Sequence, residues 1–284
     1  MTPNRQRIYR SHALILRRRD YSEADRILTV LTPHRGKQEL IAKGIRKTSS
    51  RKAGHLELYT HTSLMLAEGR TWDVVTEVST VESYRKIRED LEKISQAGYL
   101  CELADAFSES EDENLPLWDL VILGLRALND DWGPCNGPML LRWFVLHLLS
   151  LTGFQPQLFH CIACETPLEP VLNRLDLAAG GVICPNCAYN MDTAETIEPD
   201  VLKVLRYLQS NDWDASARLA LRPAIAGRID NILHRYLLQV LERHLRSTEF
   251  MRRIQYLAPA LPSSAPPAAA ETPTSLLAPD VTAE

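Results

Sequence analysis

The sequence has no run of about eighteen uncharged apolar residues, the length that a membrane-spanning helix needs. Its most apolar stretch, residues 139–151, is interrupted by Arg142 and His147, and this pattern is typical of a core helix. The first ten residues are polar and basic, and no apolar segment follows them, so no signal-peptide pattern is present. These absences predict a cytoplasmic protein that does not enter a membrane.

Signatures of catalysis are missing as well. The sequence contains no P-loop, no HExxH, no GxSxG and no paired acidic motif in a setting suited to magnesium. Glu109, Glu111, Asp112 and Glu113 are close together, but on a loop such residues serve as solvating charges more often than as metal ligands. The sequence therefore predicts a protein that is not an enzyme.

Charge is divided unevenly along an otherwise ordinary composition. The chain has 284 residues, 45% of them hydrophobic and 24% charged, which suits a globular protein of two modest domains. Residues 1–80 hold fifteen Lys and Arg against eight Asp and Glu, a balance of +7, within a net charge of −4. Residues 81–150 balance at −7 and residues 151–200 at −6. A basic first domain on an acidic remainder indicates a surface that faces a polyanion.

The first eighty residues have the pattern of β-strands. Apolar and β-branched segments are separated by turn residues, as at Pro33 and Gly36. Five short antiparallel strands in so short a segment favour an OB-like barrel. The predicted strands are residues 12–19, 26–31, 37–45, 56–67 and 72–81.

From residue 81 the apolar spacing becomes helical, so the fold class is α+β and multidomain. The first predicted helix follows this change of spacing and ends at residue 107. Four further helices are predicted at residues 116–128, 138–151, 201–209 and 225–245. After residue 256 the chain is rich in Ala, Pro, Ser and Thr, and such a segment cannot bury enough apolar area to become ordered. The predicted units are an OB-fold domain (1–80), a helical domain in two parts (81–155 and 191–257), an inserted cysteine module (156–190) and a disordered tail (258–284).

Four of the six cysteines form two CxxC pairs separated by nineteen residues. Each pair can present two sulfurs from one tight knuckle, and two knuckles complete a tetrahedron around one ion. Four thiolates leave no open coordination position, so the site predicted is one structural Zn²⁺. Gly180 and Gly181 would permit the sharp turn before the second knuckle. The predicted ligands are Cys161, Cys164, Cys184 and Cys187.

Other interpretations of the cysteines stay open at this stage. The pairs could be redox motifs or buried free thiols, and His160 could replace one cysteine as a ligand. Cys101 and Cys135 stand alone and are expected to be packing residues.

The cations of the first domain fall in clusters. Residues 42–54 (AKGIRKTSSRKAG) carry five of them with Gly and Ser, a composition that can follow an irregular phosphate backbone. Few aromatic residues accompany them, namely Tyr9, Tyr21, Tyr59 and Trp72, so sequence-specific readout is not expected. A solvated charge run or an anionic membrane surface are the alternatives to nucleic acid. The candidate nucleic-acid-binding residues are Arg17, Arg18, Arg19, Arg35, Lys37, Lys43, Arg46, Lys47, Arg51 and Lys52.

Several segments together resemble the bacterial DNA repair protein RecO family. They are residues 14–26 (LILRRRDYSEADR), 31–37 (LTPHRGK), 42–46 (AKGIR), 99–103 (YLCEL) and 151–156 (LTGFQP) running into the first CxxC pair. The similarity covers about residues 8 to 245, in order, and excludes the tail after Leu257. Some members of that family lack the cysteines, whereas this chain has all four.

The resemblance implies an OB-fold, a helical domain and a zinc module packed on the helices. It implies a recombination mediator that binds single- and double-stranded DNA, anneals complementary strands and helps to load RecA. The partners implied are RecR, often RecF, and single-stranded-DNA-binding protein, whose contact surface would lie in the helical domain. The DNA-contacting positions of the family that match here are Lys37, Lys43, Arg46 and Lys47.

Two other functional classes remain beside this one. A zinc-ribbon adaptor would act through protein contacts alone, with the barrel as a scaffold. A magnesium-dependent DNA-processing enzyme, such as a nuclease or ligase-like factor, would use the barrel as a clamp. The sequence does not fix the oligomeric state.

Overall fold

The computed structural model of the protein describes residues 8–130, 136–190, 194–242, 245, 247–248 and 251. The predicted disordered tail and Cys135 lie outside these residues. None of the helices in the described ranges is both long enough and apolar enough to cross a membrane.

The first five strands close into a barrel, which confirms the predicted OB-like domain. The strands are neighbours in the order β1-β2-β3-β5-β4, and a 3-10 turn at Ala53–His55 lies between β3 and β4. Their bounds are Ile8–Tyr21 (β1), Asp25–Thr32 (β2), Gly36–Ala42 (β3), His61–Ala67 (β4) and Asp73–Glu82 (β5).

The expectation of an entirely antiparallel barrel is wrong at one interface. β3 pairs with β5 in parallel over two residue pairs, Leu40 with Asp73 and Ile41 with Val74, while the other four interfaces are antiparallel. Strand directions cannot alternate all the way round a ring with an odd number of members. Closing five strands therefore requires at least one parallel interface, and it falls where the chain crosses over from β3 to β5.

β1 is the longest strand, and in its middle, at residues 13–16, both of its faces are buried. Its first half pairs with β4 and its second half with β2, with a bulge between Ile15 and Arg17. Ala13 and Ile15 belong to the core inside the barrel. Leu14 and Leu16 point the other way and belong to the core of the helical domain. The strand thus joins the two cores.

The helical domain follows directly after the barrel. β5 extends to Glu82 and Tyr84 takes a left-handed φ of 48°, so the first helix is one short turn rather than the continuous helix predicted. Asp90 caps α2 by accepting hydrogen bonds from two backbone N–H groups, and Asn114 caps α3. The helices are Arg85–Arg88 (α1), Leu91–Phe107 (α2), Leu115–Asn129 (α3), Asn136–Leu151 (α4), Pro199–Ser210 (α5), Trp213–Ser216 (α6) and Pro223–Leu241 (α7).

The cysteine module is inserted between α4 and α5. Its three strands, Asn173–Asp176 (β6), Gly181–Ile183 (β7) and Glu195–Ile197 (β8), form an antiparallel sheet in the order β7-β6-β8. The buried side chains of the module are part of the helical core. On α5, Arg206 donates hydrogen bonds to the carbonyl groups of Leu158 and Leu168. The module is therefore packed on the helices and does not have a separate core.

A loop after α2 holds the turn between β2 and β3. The backbone N–H of Lys37 donates to the carbonyl of Glu109 at 2.9 Å, and that of Glu111 donates to Arg35 at 3.1 Å. Gly36, with a φ of 54°, faces the carbonyl groups of Glu109 and Asp112. A Cβ at residue 36 would lie 2.7 Å from the carbonyl oxygen of Glu109. The contact therefore requires glycine on both conformational and steric grounds.

Replacing Gly36 with Ala should destabilise the protein by about 2 kcal/mol or more, because a left-handed residue with a Cβ costs ~1–2 kcal/mol before any clash. Gly54→Ala is the matched control, since nothing lies within 4 Å of its added Cβ. Urea unfolding followed by circular dichroism measures both variants. Equal midpoints for the two would contradict the role given to Gly36.

A pair of histidines lies at the junction between the barrel and α3. Nδ1 of His12 is 3.0 Å from Nε2 of His61, and the ring of His61 meets Trp118 with centroids 5.2 Å apart. His61 is also the register partner of Glu82, and Arg126 of α3 contributes positive charge. Burial, reinforced by His12 and Arg126, lowers the pKa of His61 to about 4.

Stability should therefore fall as the pH drops from about 6.5, the ordinary histidine pKa, toward 4. In this window the unfolded chain takes up a proton on His61 that the folded chain refuses. At pH 5 the loss attributable to His61 should be about 1–2 kcal/mol relative to pH 7.5. Comparing urea unfolding of the parent and His61→Gln at the two pH values tests this, and an equal loss in both proteins would refute it.

Candidate metal centre and nucleic-acid interface

The four cysteines of the module come together at one point. Their Sγ atoms all lie within 4.8 Å of one another, and those of Cys164 and Cys184 are 3.8 Å apart. A tetrahedron with Zn–S bonds of about 2.3 Å has sulfur–sulfur edges of about 3.8 Å. The donor set and its spacing therefore fit one zinc ion, and His160 is not among the clustered groups of the described residues.

Local backbone structure builds the two knuckles. In the first, Cys161 donates its N–H to Thr166 and accepts from Glu165, whose φ of 59° closes the turn. In the second, the N–H groups of Cys187 and Ala188 both donate to the carbonyl of Cys184. The N–H of Cys184 also donates to Sγ of Cys161 at 3.3 Å, which links the two knuckles.

The predicted role of Gly180 and Gly181 in the second knuckle is wrong. Gly180, with a φ of 74°, belongs to the turn that joins β6 to β7. Gly181 is the first residue of β7, and a Cβ there would run into Ile162 and the carbonyl of Gln157. The two glycines therefore form the hairpin and its contact with the first knuckle, while the second knuckle turns at residues 184–188.

The electrostatics of the thiols favour a cation among them. The Thr166 hydroxyl, 3.0 Å from Sγ of Cys164, lowers the pKa of that thiol to about 6. Hydrogen bonding to Cys164 and, to a smaller extent, to Cys184 raises the pKa of the Cys187 thiol to about 12. Four thiolates cannot lie so close without a compensating charge. A divalent ion at their centre would allow all four to be deprotonated.

Removing two ligands tests the metal centre. The double change Cys161→Ser and Cys164→Ser should abolish stoichiometric zinc and lower the melting temperature, because metal binding supplies folding free energy to the module. Zinc is measured by atomic absorption and stability by calorimetry, with Cys101→Ser as the control at a buried cysteine outside the cluster. Zinc retained at one ion per chain in the double variant would contradict the assignment.

The three consecutive arginines of β1 do not share a face. Arg18 pairs in register with Leu28, whose side chain is in the barrel core, and its guanidinium contacts Glu57. Arg17 and Arg19 point to the outside, with 60% and 56% of their side-chain area exposed. Successive strand residues alternate between faces, so the cluster seen in the sequence separates in the fold.

Arg17 and Lys37 both contact Asp105 of α2. Nε of Arg17 is 3.2 Å from one carboxylate oxygen, and Nζ of Lys37 is 3.5 Å from the other. Lys37 also donates to the backbone carbonyl of Asp105 at 2.7 Å. These two cations therefore help to hold the barrel against the helices. Arg17 still exposes most of its side chain, whereas Lys37 exposes 26%.

Strand register places Lys37, Arg17 and Arg19 on one outer surface, here called the basic strip. Lys37 lies opposite Leu31, which packs on the helices, and Arg17 shares the partner Thr29 with Glu39. Arg19 lies two register pairs further along β1, on the same face as Arg17, and is 3.7 Å from Glu39. The strip therefore runs from the helical domain toward the far end of the barrel. Arg35 is outside it, stacked over Tyr9 and 3.9 Å from Asp73.

At that far end lies the basic loop, residues 43–52. Gly44 donates its N–H to Asp25, and the N–H of Arg46 donates to Ala24, so the loop is fixed to the β1–β2 turn. Nζ of Lys52 donates to the Val75 carbonyl at 3.0 Å. Within the described residues, three exposed cations of the loop have neither an ion pair nor a hydrogen bond. They are Lys43, Lys47 and Arg51.

Among the described residues, Asp20 is the one acidic group that forms an ion pair with a cation of the basic loop. It accepts from Arg26 at 2.7 Å and lies 3.4 Å from Nε of Arg46. The hydrogen bond from Arg26, assisted by Arg46, lowers the pKa of Asp20. One carboxylate between two guanidinium groups leaves the neighbourhood of the loop positive.

Two aromatic residues that the sequence did not connect meet beside the basic strip. Tyr21 at the end of β1 and Trp72 before β5 have ring centroids 5.2 Å apart, at an interplanar angle of 73°. Arg19 lies over the Trp72 ring at 5.8 Å. Tyr21 and Trp72 are 51 residues apart in sequence, and the register of the closed barrel brings them together.

The geometry defines a class: a small closed barrel with exposed cations, joined to a helical domain that carries a four-cysteine knuckle. Residues 6–84 match the family described as Recombination protein O N terminal, and residues 88–249 match Recombination protein O C terminal. The chain therefore belongs to the RecO family, and this assignment supports a role in DNA repair and recombination.

Curated relatives agree with this assignment over nearly the whole chain. A protein named DNA repair protein RecO from a Roseiflexus species is 41% identical over 92% of this chain and 91% of its own length. Proteins of the same name from Dehalococcoides mccartyi and Symbiobacterium thermophilum are 35% and 34% identical. They cover 83% and 86% of this chain and 91% and 96% of their own lengths.

Proposed function

We propose that this protein is a non-enzymatic recombination mediator that binds single- and double-stranded DNA through its barrel and anneals complementary strands. The observation that carries the proposal is the basic loop, in which Lys43, Lys47 and Arg51 are exposed and, among the described residues, without partners, on a backbone fixed to the barrel. When unpaired surface cations bind phosphates, they displace the counterions that are condensed on the DNA. The release of these counterions is the main driving force of nonspecific DNA binding.

The basic strip extends this surface. Arg17 and Arg19 keep more than half of their side-chain area exposed, although each also contacts a carboxylate. The Arg19–Glu39 pair is exposed on both sides, and such pairs contribute little to stability, so a phosphate could replace this carboxylate at small cost. Asp105 is mostly buried, so Arg17 would keep its contact with this carboxylate. Arg18 and Lys52 take a smaller part in the proposed interface, because Glu57 and the Val75 carbonyl bind them.

Annealing requires no covalent chemistry. Two strands must be held by their phosphates so that their mutual repulsion falls while their bases remain free to pair. A positive surface on a rigid barrel meets both conditions. On this proposal the zinc module stabilises the helical domain and does not contact DNA, because residues 151–200 hold one Lys or Arg against seven Asp and Glu.

The proposal extends to the pathway and to the division of the chain. We propose that the protein acts in the cytoplasm, at the nucleoid, with RecR, often with RecF, and with single-stranded-DNA-binding protein, to load RecA on coated strands. The helical domain would meet the single-stranded-DNA-binding protein. For the division of the chain we propose the predicted segments 1–80, 81–155 with 191–257, and 156–190, with β5 extending the barrel to Glu82 and β8 extending the module to Ile197.

Charge reversal in the basic loop tests the interface. Changing Lys43, Arg46 and Lys47 to Glu should weaken binding of a labelled oligonucleotide by at least tenfold. If about five phosphates are contacted, log affinity should fall with log salt at a slope near −3.5 in the parent, and the slope should be shallower in the variant. Fluorescence anisotropy over a salt series gives both quantities.

A matched variant controls for total charge. Arg85, Lys203 and Arg218 are charged residues of the helical domain, and their change to Glu alters the net charge equally. This control should bind DNA nearly as the parent does. A parent that binds no oligonucleotide, or a loop variant that binds as the parent does, would favour the adaptor that acts through protein contacts alone. Turnover of DNA or ATP with magnesium would favour the enzyme.

A further inference from the structure

The aromatic pair at the far end of the barrel has a chemistry that the basic residues lack. Cations bind phosphates but do not distinguish a single strand, whose bases are accessible, from a duplex, whose bases are stacked inside. Aromatic side chains provide a surface on which an unpaired base of any identity can stack. A pair of such rings with one exposed member, beside phosphate-binding cations, therefore has a specific use.

Tyr21 and Trp72 are held differently. The indole N–H of Trp72 donates to Glu39 at 3.1 Å, and Arg19 lies over the ring, so the position of Trp72 is fixed. Tyr21 keeps 41% of its area exposed. Within the described residues its hydroxyl has no hydrogen-bond partner. Tyr21 is therefore an accessible ring supported by a fixed one.

The pair lies next to the basic loop. Tyr21 is the register partner of Asp25, and Asp25 accepts the hydrogen bond from Gly44 of the loop. Asp20, beside Tyr21 in the chain, lies 3.4 Å from Arg46. On the other side, Trp72 precedes Asp73, the partner of Leu40 near the end of β3 from which the loop begins. A strand that follows the cations of the strip into the loop thus passes the two rings.

We propose that Tyr21 and Trp72, with Arg19, form a stacking site for an unpaired nucleobase of single-stranded DNA. The proposal rests on the proposed DNA binding of the barrel. It adds that the protein contacts a base as well as phosphates, without selecting which base, and that this contact favours a single strand over a duplex. Arg19 would provide the adjoining positive charge.

The decisive probe is a strand without bases. A thymidine 15-mer and an abasic 15-mer of the same length present the same phosphates, but only the first can stack. The parent should bind the thymidine strand about 5- to 100-fold more tightly, as expected for the stacking of about one base. Tyr21→Ala should lose most of this preference, mainly through weaker binding of the thymidine strand, while its affinity for the abasic strand and for a duplex stays within about twofold.

Two further variants separate stacking from a loss of structure. Tyr21→Phe keeps the ring and should keep the preference, and Tyr189→Ala, at a tyrosine 91% exposed in the cysteine module, should change nothing. Trp72→Leu, like Tyr21→Ala, should reduce the preference for the thymidine strand over the abasic strand.

Equal binding of the two 15-mers by the parent would overturn the stacking site and leave phosphate binding intact. The stacking site is equally overturned if Tyr21→Ala weakens binding of the abasic and thymidine strands by the same factor. A parent that binds neither strand would instead refute the proposed DNA binding itself, so the two failures are distinct.

Discussion

The two-sided burial of β1 is the constraint on which the rest of the structure depends. Ala13 and Ile15 fill the barrel, while Leu14 and Leu16 fill the core of the helical domain. The bulge after Ile15 then changes the strand's pairing and sends Arg17 outward to Asp105. A shift of one residue in this register would exchange the two cores and bury the arginine. The position of the barrel on the helices, and the outward direction of Arg17 and Arg19, follow from this register.

The structure could be predicted from the sequence wherever a local pattern of residue types is compatible with only one arrangement. Two CxxC pairs led to the four-thiol cluster, and apolar runs between turn residues led to the barrel. The sequence did not predict features that depend on how distant strands pair, such as the face on which a side chain lies. The three arginines of residues 17–19 look like one patch but alternate between faces, and the parallel contact of β3 with β5 follows from closing an odd ring. The cysteine spacing suggests a knuckle role for Gly180, because it does not reveal the β6–β7 hairpin whose turn requires this glycine.

The acidic remainder of the chain also has a structural role that charge counting did not identify. Asp105 binds Arg17 and Lys37, and the loop after α2 pairs with the β2–β3 turn through its backbone, at Glu109 and Glu111. Acidic residues of the helical domain thus compensate the cations nearest to it. The cations of the basic loop, farther along the barrel, are left exposed. The +7 balance of residues 1–80 therefore includes cations that the helical domain already compensates.

This arrangement bears on how one surface could both bind a strand and let it anneal. Phosphate contacts leave the bases free, but many stacking contacts would compete with base pairing for the same bases, at ~1–3 kcal/mol each. A stacked base pair in a duplex is worth a comparable amount per step, so a few stacking sites per strand can be displaced as pairing advances. The described barrel brings one aromatic pair, Tyr21 with Trp72, beside its exposed cations. On the proposed function, one weak site would orient an incoming strand without opposing its pairing, as annealing without an energy source would require.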